Sequence, residues 1–233
     1  MNFSRSIRYV YRILPMIGLV ALMAGLAAPA AADNTRPKLT YKAMQSRLAA
    51  CATCHGKNGE GDQGEGGGVY PRLAGQPAGY LYKQLLRFKS ARRTGIPPVD
   101  VMHRLLENLP ASYLQLIADF YHEASPPYPP APPRNAERWK RGRDLVRNGV
   151  PSEGIAACTS CHGANLEGQP PNVPALAGQY ARYLTIQFEH WKQGARENAV
   201  HEHIVQTLTT PEIEAMSHYL ASLRLSGSAG DAE

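Results

Sequence analysis

The spacing of apolar residues along this chain predicts a series of short amphipathic helices. Within each predicted helix, apolar side chains recur three or four positions apart, which places them on one face. Leu81, Leu85 and Phe88 follow this spacing in one helix, and Leu116 and Phe120 follow it in another. The pattern therefore predicts an all-α fold. The predicted helices cover residues 39–50, 78–92, 112–123 and 137–147, and a further short helical run starts at Met102.

Glycine and proline divide these helices into two groups. The stretch 56–68 is rich in glycine and is predicted to be a loop. Residues 124–135 contain six prolines, which exclude a helix and favour an extended linker. This linker either holds the flanking parts at a limited range of separations or merely tethers them. Residues 226–233 are small and polar, so they are predicted to form a disordered tail.

The part of the chain after the linker repeats the part before it. Pro71–Gln76 returns as Pro174–Gln179, at an offset of 103 residues, and the correspondence continues to Arg93 and Arg196. Nearer the end of each half the offset falls to 99 residues. An internal repeat of this kind indicates two domains of the same fold. The predicted domains are residues 33–123 and 136–225.

The first 32 residues have the pattern of a secretory signal peptide. A basic start is followed by the apolar stretch 13–28 and by Ala30-Ala31-Ala32, a small-residue cleavage site before Asp33. The apolar stretch is shorter than the roughly 20 residues that span a membrane. A retained anchor, with peripheral attachment to the membrane, is the alternative to cleavage. In either case the folded part is predicted to be exported to the periplasm.

All four cysteines belong to two Cys-x-x-Cys-His motifs. The first comprises Cys51, Cys54 and His55, and the second comprises Cys158, Cys161 and His162. This spacing is the signature of c-type haem attachment, because each thiol can add to one vinyl group of the same porphyrin. The histidine that follows is then held beneath the iron as its proximal ligand. The sequence therefore predicts two covalently bound haem c groups.

A zinc site, a redox-active pair or disulfides would account for the cysteines less well. Four cysteines are the number that a structural zinc site requires, but more than a hundred residues separate the two pairs. A thioredoxin-like redox pair needs a βαβ context, which the predicted helices do not provide. Two structural disulfides are compatible with export but would not require the histidine after each pair.

The net charge does not favour nucleic-acid binding. The chain has 25 Lys and Arg residues against 19 Asp and Glu residues, a formal net charge of +6. Removal of the signal peptide takes Arg5, Arg8 and Arg12 with it and halves that excess. The propionate groups of two haems offset the remainder, so local patches rather than the whole surface would steer a redox partner.

The chain resembles the dihaem cytochromes of the cytochrome c4 family. The resemblance rests on the two Cys-x-x-Cys-His motifs, on Pro-x-Leu-Ala-Gly-Gln in both halves and on the Tyr-Leu-x-x-Gln sequence that follows each. It covers nearly all of residues 39–225. It implies two tandem class I cytochrome c domains, joined by the Pro-rich linker. Such proteins carry electrons between a membrane-bound donor complex and a terminal oxidase or reductase.

The resemblance also implies where the sixth ligand of each iron lies, seven residues before the leucine at the start of the last helix. In the first half this position is Met102, and the neighbouring His103 is a weaker candidate. In the second half the position is His201, with His203 as the alternative. The ordinary interpretation of these residues is a core methionine and a pair of surface histidines. We predict His/Met ligation of the first haem and His/His ligation of the second.

Two further pairs of residues occupy equivalent places in the repeat. Arg93 and Arg196 follow a predicted helix in each half, where they either pair with haem propionates or are solvated charges at a helix end. Tyr80 and Tyr183 are predicted to pack in the haem pockets.

Together these features predict a non-enzymatic electron carrier. The chain has two one-electron centres and no cluster of acid, base or nucleophile beside them. One alternative is a dihaem enzyme that resembles a thiosulfate dehydrogenase or a peroxidase, which would need a labile distal ligand or a spare cysteine. The other alternative is a haem subunit that docks on a dehydrogenase.

Overall fold

The structure, a computed structural model, describes residues 41–61, 68–93, 99–128, 131–132 and 135–225. These residues form α-helices and one short 3-10 turn, with no strand among them, so the all-α prediction is confirmed. The predicted signal peptide, Leu39, the middle of the glycine-rich loop and the predicted tail lie outside the described residues. The helices are α1 (Tyr41–Arg47), α2 (Ala49–His55), α3 (Ala78–Lys89), α4 (Val99–Leu106), α5 (Ala111–Glu123), α6 (Ala136–Asn148), α7 (Thr159–His162), α8 (Ala181–Lys192), α9 (Ala199–Thr207) and α10 (Thr210–Ser222).

The two halves repeat one arrangement of helices. In the first half α1 contacts α5, and α3 packs against α4 and α5. In the second half α6 contacts α10, and α8 packs against α9 and α10. Each half therefore encloses a hydrophobic core of its own. The buried core residues include Leu48, Leu81, Leu114 and Phe120 in the first half and Leu145, Leu184, Val205 and Leu220 in the second.

Helices α6 and α10 cross at very short range where α6 carries Gly142. A Cβ atom at this position would overlap the carbonyl oxygen of Ala215 on α10. One turn earlier on α6, Trp139 stacks edge-to-face on Tyr219, with ring centroids 5.1 Å apart, and its indole nitrogen donates to the Ser222 hydroxyl over 2.9 Å. The glycine is thus required by the distance between the two helices.

We expect Gly142→Ala to destabilise the protein by about 1–2 kcal/mol, because overpacking costs about 1–3 kcal/mol. Helix propensity alone predicts that the substitution stabilises the protein, because alanine favours the helix over glycine by about 1 kcal/mol. Urea unfolding followed by circular dichroism measures the difference. Lys140→Ala, at an exposed position of the same helix, is the control and should change stability little. A Gly142→Ala protein that is more stable than the native one would contradict the close crossing.

The two halves bind each other through a reciprocal pair of glutamines. The side-chain amide of Gln76 donates to the Ala175 carbonyl over 3.0 Å, and its oxygen accepts from the Ala175 amide over 2.9 Å. Gln179, the equivalent residue of the second half, makes the same two bonds to the backbone of Arg72, each 2.9 Å long. The contact is self-complementary, as in a two-fold symmetric dimer, and it fixes the orientation of the halves.

The start of the predicted linker is bound to both halves. The Arg72 guanidinium donates to the carbonyl oxygens of Pro126 and Pro127 over 2.7 and 2.8 Å. It also lies over the Tyr128 ring, at 4.5 Å from the centroid, and Arg224 of the second half lies 5.3 Å from the same ring. This part of the segment therefore does not behave as a mere tether.

The structure changes several of the predicted boundaries. The sequence pattern ends the first helix at Ala50, but α2 continues through the whole first motif to His55. His201 and His203, which lie outside the helices predicted from the sequence, are part of α9. Within the described parts of the chain, no helix combines the length and the apolar character needed to cross a membrane.

Candidate functional site

Each Cys-x-x-Cys-His motif lies on a helical turn that ends in a buried histidine. His55 and His162 are each 7% exposed. None of the four cysteines is in a disulfide, and Cys161 is the most exposed of them. Burial raises the pKa of Cys51, and it raises the pKa of Cys158 to about 11. Without bound haem, the thiols of Cys51 and Cys158 stay protonated near neutral pH, unlike those of redox-active Cys-x-x-Cys pairs, whose pKa is lowered.

The two motif histidines are oriented in the same way. Nδ1 of His55 donates to the Pro71 carbonyl over 3.2 Å, and Nδ1 of His162 donates to the Pro174 carbonyl over 2.8 Å. Because a carbonyl oxygen can only accept, Nδ1 carries the proton in both rings and Nε2 is left with a free lone pair. Burial lowers the pKa of each ring, which favours this neutral form. This is the state in which histidine binds a metal, with its orientation fixed by the outer hydrogen bond.

In the first half, Met102 and His103 face different surroundings on α4. Met102 is half-buried and packs against the first hydrophobic core. His103 donates from Nδ1 to the Phe88 carbonyl over 2.9 Å, and its Nε2 lies 3.7 Å from a Glu107 carboxylate oxygen. The hydrogen bond at Nδ1 thus turns the His103 ring toward the backbone of α3.

In the second half, His201 faces the motif histidine. The ring centroids of His162 and His201 are 6.2 Å apart, and the two rings are nearly perpendicular at 83°. A first-row metal binds imidazole nitrogen at about 2.0–2.1 Å, and the ring centroid lies about 1.1 Å behind that nitrogen, so two rings on one metal lie roughly 6.4 Å apart. The observed separation of the ring centroids is compatible with one iron atom between the two rings.

His203 lies on α9 but points elsewhere. Its Nε2 donates to the Glu153 carbonyl over 2.8 Å, and the side chain is exposed. Residues two positions apart on a helix do not share a face, so His201 and His203 cannot both reach the same pocket. Burial, together with the charges of His162 and Arg196, lowers the pKa of His201 to about 4. His201 is therefore neutral at physiological pH.

A cluster of buried cations lies where the two halves meet. Arg93 and Arg196 are 6% and 8% exposed, which excludes the solvated helix-end positions that the sequence left open. Both donate to the side-chain oxygen of Gln187, over 2.6 and 2.9 Å. Arg93 also donates to Gln84 over 3.0 Å and to the Tyr183 hydroxyl over 3.3 Å. Tyr183 therefore contacts the other half of the protein.

This cluster holds two positive charges with no acidic partner among the described residues. The ion pairs in that part of the chain are made by other side chains. Arg93 Nε and both nitrogens of the buried His190 have no hydrogen-bond partner there. Buried unpaired cations are costly, and buried polar groups are normally hydrogen-bonded. Carboxylates such as haem propionates would supply what is missing, so the residues fit a bound haem on this side as well as at the motifs.

The residues that join the two halves were not predicted from the sequence. Gln76 and Gln179 belong to a repeated motif, but the motif assigns no role to them. The stacking of Trp191 on His201, with ring centroids 4.1 Å apart and an angle of 17°, was not predicted either. The repeated positions were a signal that could have pointed to these residues, although the partner of each lies far away in the sequence.

Comparison with known proteins identifies the family to which this chain belongs. The sequence profile described as Cytochrome c matches residues 41–113 and 140–224, one segment in each half. The chain is 33% identical over 218 residues to a "Thiosulfate dehydrogenase electron acceptor" of Thiomonas intermedia, covering 92% of each chain. It is 32% identical over 191 residues to cytochrome c4 of Azotobacter vinelandii, covering 78% of this chain and 88% of the relative.

A solved structure shows the same overall arrangement. The crystal structure of reduced recombinant cytochrome c4 from Pseudomonas stutzeri aligns with a TM-score of 0.68 and 30% sequence identity. The alignment covers 79% of this chain and 98% of that one. The likeness extends over both halves, in agreement with the two segments matched by the family profile. Cys51 and Cys54 therefore attach one haem c, and Cys158 and Cys161 attach a second.

Proposed function

Because this chain belongs to the cytochrome c family, as a dihaem protein similar to cytochrome c4, we propose that it carries electrons between a respiratory donor complex and a terminal oxidase or reductase. The proposal rests most directly on the pairing of His162 with His201, 6.2 Å apart. A metal held between two stable protein ligands suits a carrier, whereas an enzyme of this class needs an open position, a labile distal ligand or a cysteine on the iron. The chain is thus an electron-transfer protein, and we propose the donor complex and the oxidase or reductase as its partners.

The protein residues bind, orient and shield the redox centres. When bound, each haem supplies a one-electron couple. His55 and His162 would hold the iron through Nε2, and their hydrogen bonds to Pro71 and Pro174 keep the rings from turning. The hydrophobic cores of the two halves limit access of water, and a drier site changes the redox potential.

We propose different distal ligands for the two haems. Met102 would complete the first iron, and His201 would complete the second. The hydrogen bonds of His103 and His203 to Phe88 and Glu153 support this choice, because they turn those rings to other groups. Methionine ligation raises the potential relative to a second histidine. Electrons would then arrive at the second half and leave from the first.

The proposed site of action is the periplasm. Covalent attachment of haem c takes place outside the cytoplasm, and the pattern of residues 1–32 suits export. Whether that segment is cleaved or stays as an anchor, the donor would be a membrane-bound complex. The near-neutral mature charge favours a partner recognised through local patches, rather than nucleic acid.

A second candidate is the electron acceptor of a thiosulfate-oxidising enzyme. The observation in its favour is the 33% identity, over 92% of both chains, to a relative with that name. In this case the protein would still be a carrier and the enzyme would be its donor. A haem subunit that stays docked on such a dehydrogenase would be a further form of this candidate, whereas a dihaem enzyme is a separate alternative.

Carbon monoxide and a redox titration test the proposed function. We expect the reduced holoprotein to resist carbon monoxide and peroxide, because both distal positions are filled by side chains. A spectroscopic titration should resolve two one-electron steps, with the His/His haem at the lower potential. Rapid binding of carbon monoxide to the native protein would contradict the carrier and favour an enzyme. Reduction by a thiosulfate dehydrogenase with thiosulfate present would favour the second candidate.

A further inference from the structure

His201 differs from the motif histidines in how its ring is held. His55 and His162 each donate from Nδ1 to a proline carbonyl. Nδ1 of His201 is buried and has no hydrogen-bond partner among the described residues. A hydrogen bond of this kind normally fixes the orientation of a ligating imidazole. Another contact must therefore fix the ring of His201.

Trp191, on the last turn of α8, provides that contact. The indole and the imidazole are stacked, with ring centroids 4.1 Å apart and an angle of 17° between their planes. At this distance the two ring faces are in direct van der Waals contact. A flat indole face limits rotation of the imidazole about its own axis, because any other ring plane would lose the stacking contact.

Trp191 is itself held by two neighbours. Phe188 packs edge-to-face against it, with ring centroids 5.6 Å apart. Arg196 lies over the indole with Cζ 4.4 Å from the ring centroid, an arrangement typical of a cation–π contact. Arg196 is fixed in turn by its bond to Gln187 in the buried cluster. The indole therefore has little freedom to move away from His201.

The internal repeat offers an independent comparison. The residue equivalent to Trp191 in the first half is Phe88, which lies under Arg93 at the same distance of 4.4 Å. The residue equivalent to His201 is Met102. The half with a flexible methionine thus has the smaller aromatic ring, and the half with a planar imidazole has the larger one.

We propose that Trp191 is the positioning residue of His201: its indole face fixes the plane of the imidazole and retains it as the distal ligand, which closes the second haem to small molecules. This inference rests on the proposed His/His ligation. It predicts that the near-perpendicular planes of His162 and His201 depend on the indole. Perpendicular imidazole planes leave two iron orbitals nearly degenerate, which gives a strongly anisotropic low-spin signal in electron paramagnetic resonance.

The test compares Trp191→Leu and Trp191→Phe in the oxidised and reduced holoprotein. We expect Trp191→Leu to weaken or split the anisotropic signal and to raise the rate of carbon monoxide binding roughly tenfold, the scale expected for loss of a stacked aromatic pair. Trp191→Phe keeps an aromatic face and should rescue most of both properties. His203→Ala, on the same helix as His201, and Phe88→Leu, the matched change in the first half, should leave the signal of the second haem unchanged.

The possible outcomes distinguish a failure of the role of Trp191 from a failure of the proposed His/His ligation. A native protein without the bis-imidazole signal would overturn the ligation and, with it, the role of Trp191. A native protein with that signal, and a Trp191→Leu variant with the same signal and the same resistance to carbon monoxide, would overturn the role of Trp191 alone. If Trp191→Leu does not retain haem, Trp191→Ile, which also removes the aromatic face, decides: an unchanged anisotropic signal and unchanged resistance to carbon monoxide in that variant reject the inference.

Discussion

Replacement of His201 by methionine is expected to raise the midpoint potential of the second haem by on the order of 0.1–0.2 V, within the range of about 0.8 V that axial ligands cover. Imidazole donates electron density more strongly than a thioether, so a histidine ligand stabilises ferric iron and a methionine ligand stabilises ferrous iron. Position 201 on α9 is equivalent to Met102 on α4 in the repeat. The substituted side chain therefore starts from a backbone position that the other half already uses for a methionine.

The measurement is a redox titration combined with near-infrared and magnetic-resonance spectra. The His201→Met protein should show the spectrum of thioether ligation at both haems, and its two potentials should lie closer together. His203→Met is the control, because His203 is bound to the Glu153 carbonyl and should leave both potentials unchanged. Unchanged spectra for His201→Met, or the same shift for His203→Met, would reject His201 as the ligand.

Much of the fold could be predicted because it depends on local sequence. The spacing of apolar residues predicts α3 and α5 with bounds within a few residues of those observed. The proline-rich segment falls between α5 and α6. The Cys-x-x-Cys-His motifs require only five adjacent residues to bring thiols and imidazole together. Such features do not depend on which distant segments come into contact.

The choice between neighbouring candidate ligands depends on which way each side chain points from its helix. Met102 and His103 are adjacent, and His201 and His203 are two positions apart, so the sequence left both choices open. On a helix such neighbours point in different directions. The structure turns His103 toward Phe88 and leaves Met102 against the core. The family position at 102 and 201 remains a prediction, and the hydrogen bonds of His103 and His203 favour it over those two neighbours.

The contact between the halves could not be predicted from local patterns. Gln76 bonds to the backbone of Ala175, which lies 99 residues away in sequence. Tyr80 and Tyr183 were expected in the haem pockets, yet the hydroxyl of Tyr183 accepts from Arg93 across the boundary. Composition cannot reveal such pairs, because each group is a common surface residue until the other half covers it.

The buried position of Arg93 and Arg196 gives the interface an electrostatic role. Two guanidinium groups converge on Gln187 without a carboxylate partner in the described residues. In a protein without haem they would repel each other, and removing one would relieve that repulsion. With propionates bound, each arginine becomes half of a buried ion pair, and removing one leaves the other charge uncompensated. Removal of one arginine is therefore expected to stabilise the protein without haem and to destabilise the protein with haem.

Arg93→Gln is therefore expected to destabilise the holoprotein by about 3–5 kcal/mol, the usual cost of breaking a buried ion pair. It should also lower the potential of the first haem, because loss of a positive charge favours ferric iron. For scale, two unit charges about 10 Å apart at an effective dielectric constant near 20 interact by about 1.7 kcal/mol, which is about 70 mV for one electron. Denaturant unfolding and redox titration measure the two effects.

Arg92→Gln is a matched control for this change, because Arg92 is the exposed neighbour of Arg93. It removes the same charge from a solvated position, where an interaction is worth less than about 1 kcal/mol. Both stability and potential should then change little. If Arg93→Gln stabilises the holoprotein, no anion pairs with the cluster, because the substitution can increase stability only by relieving repulsion between the two arginines.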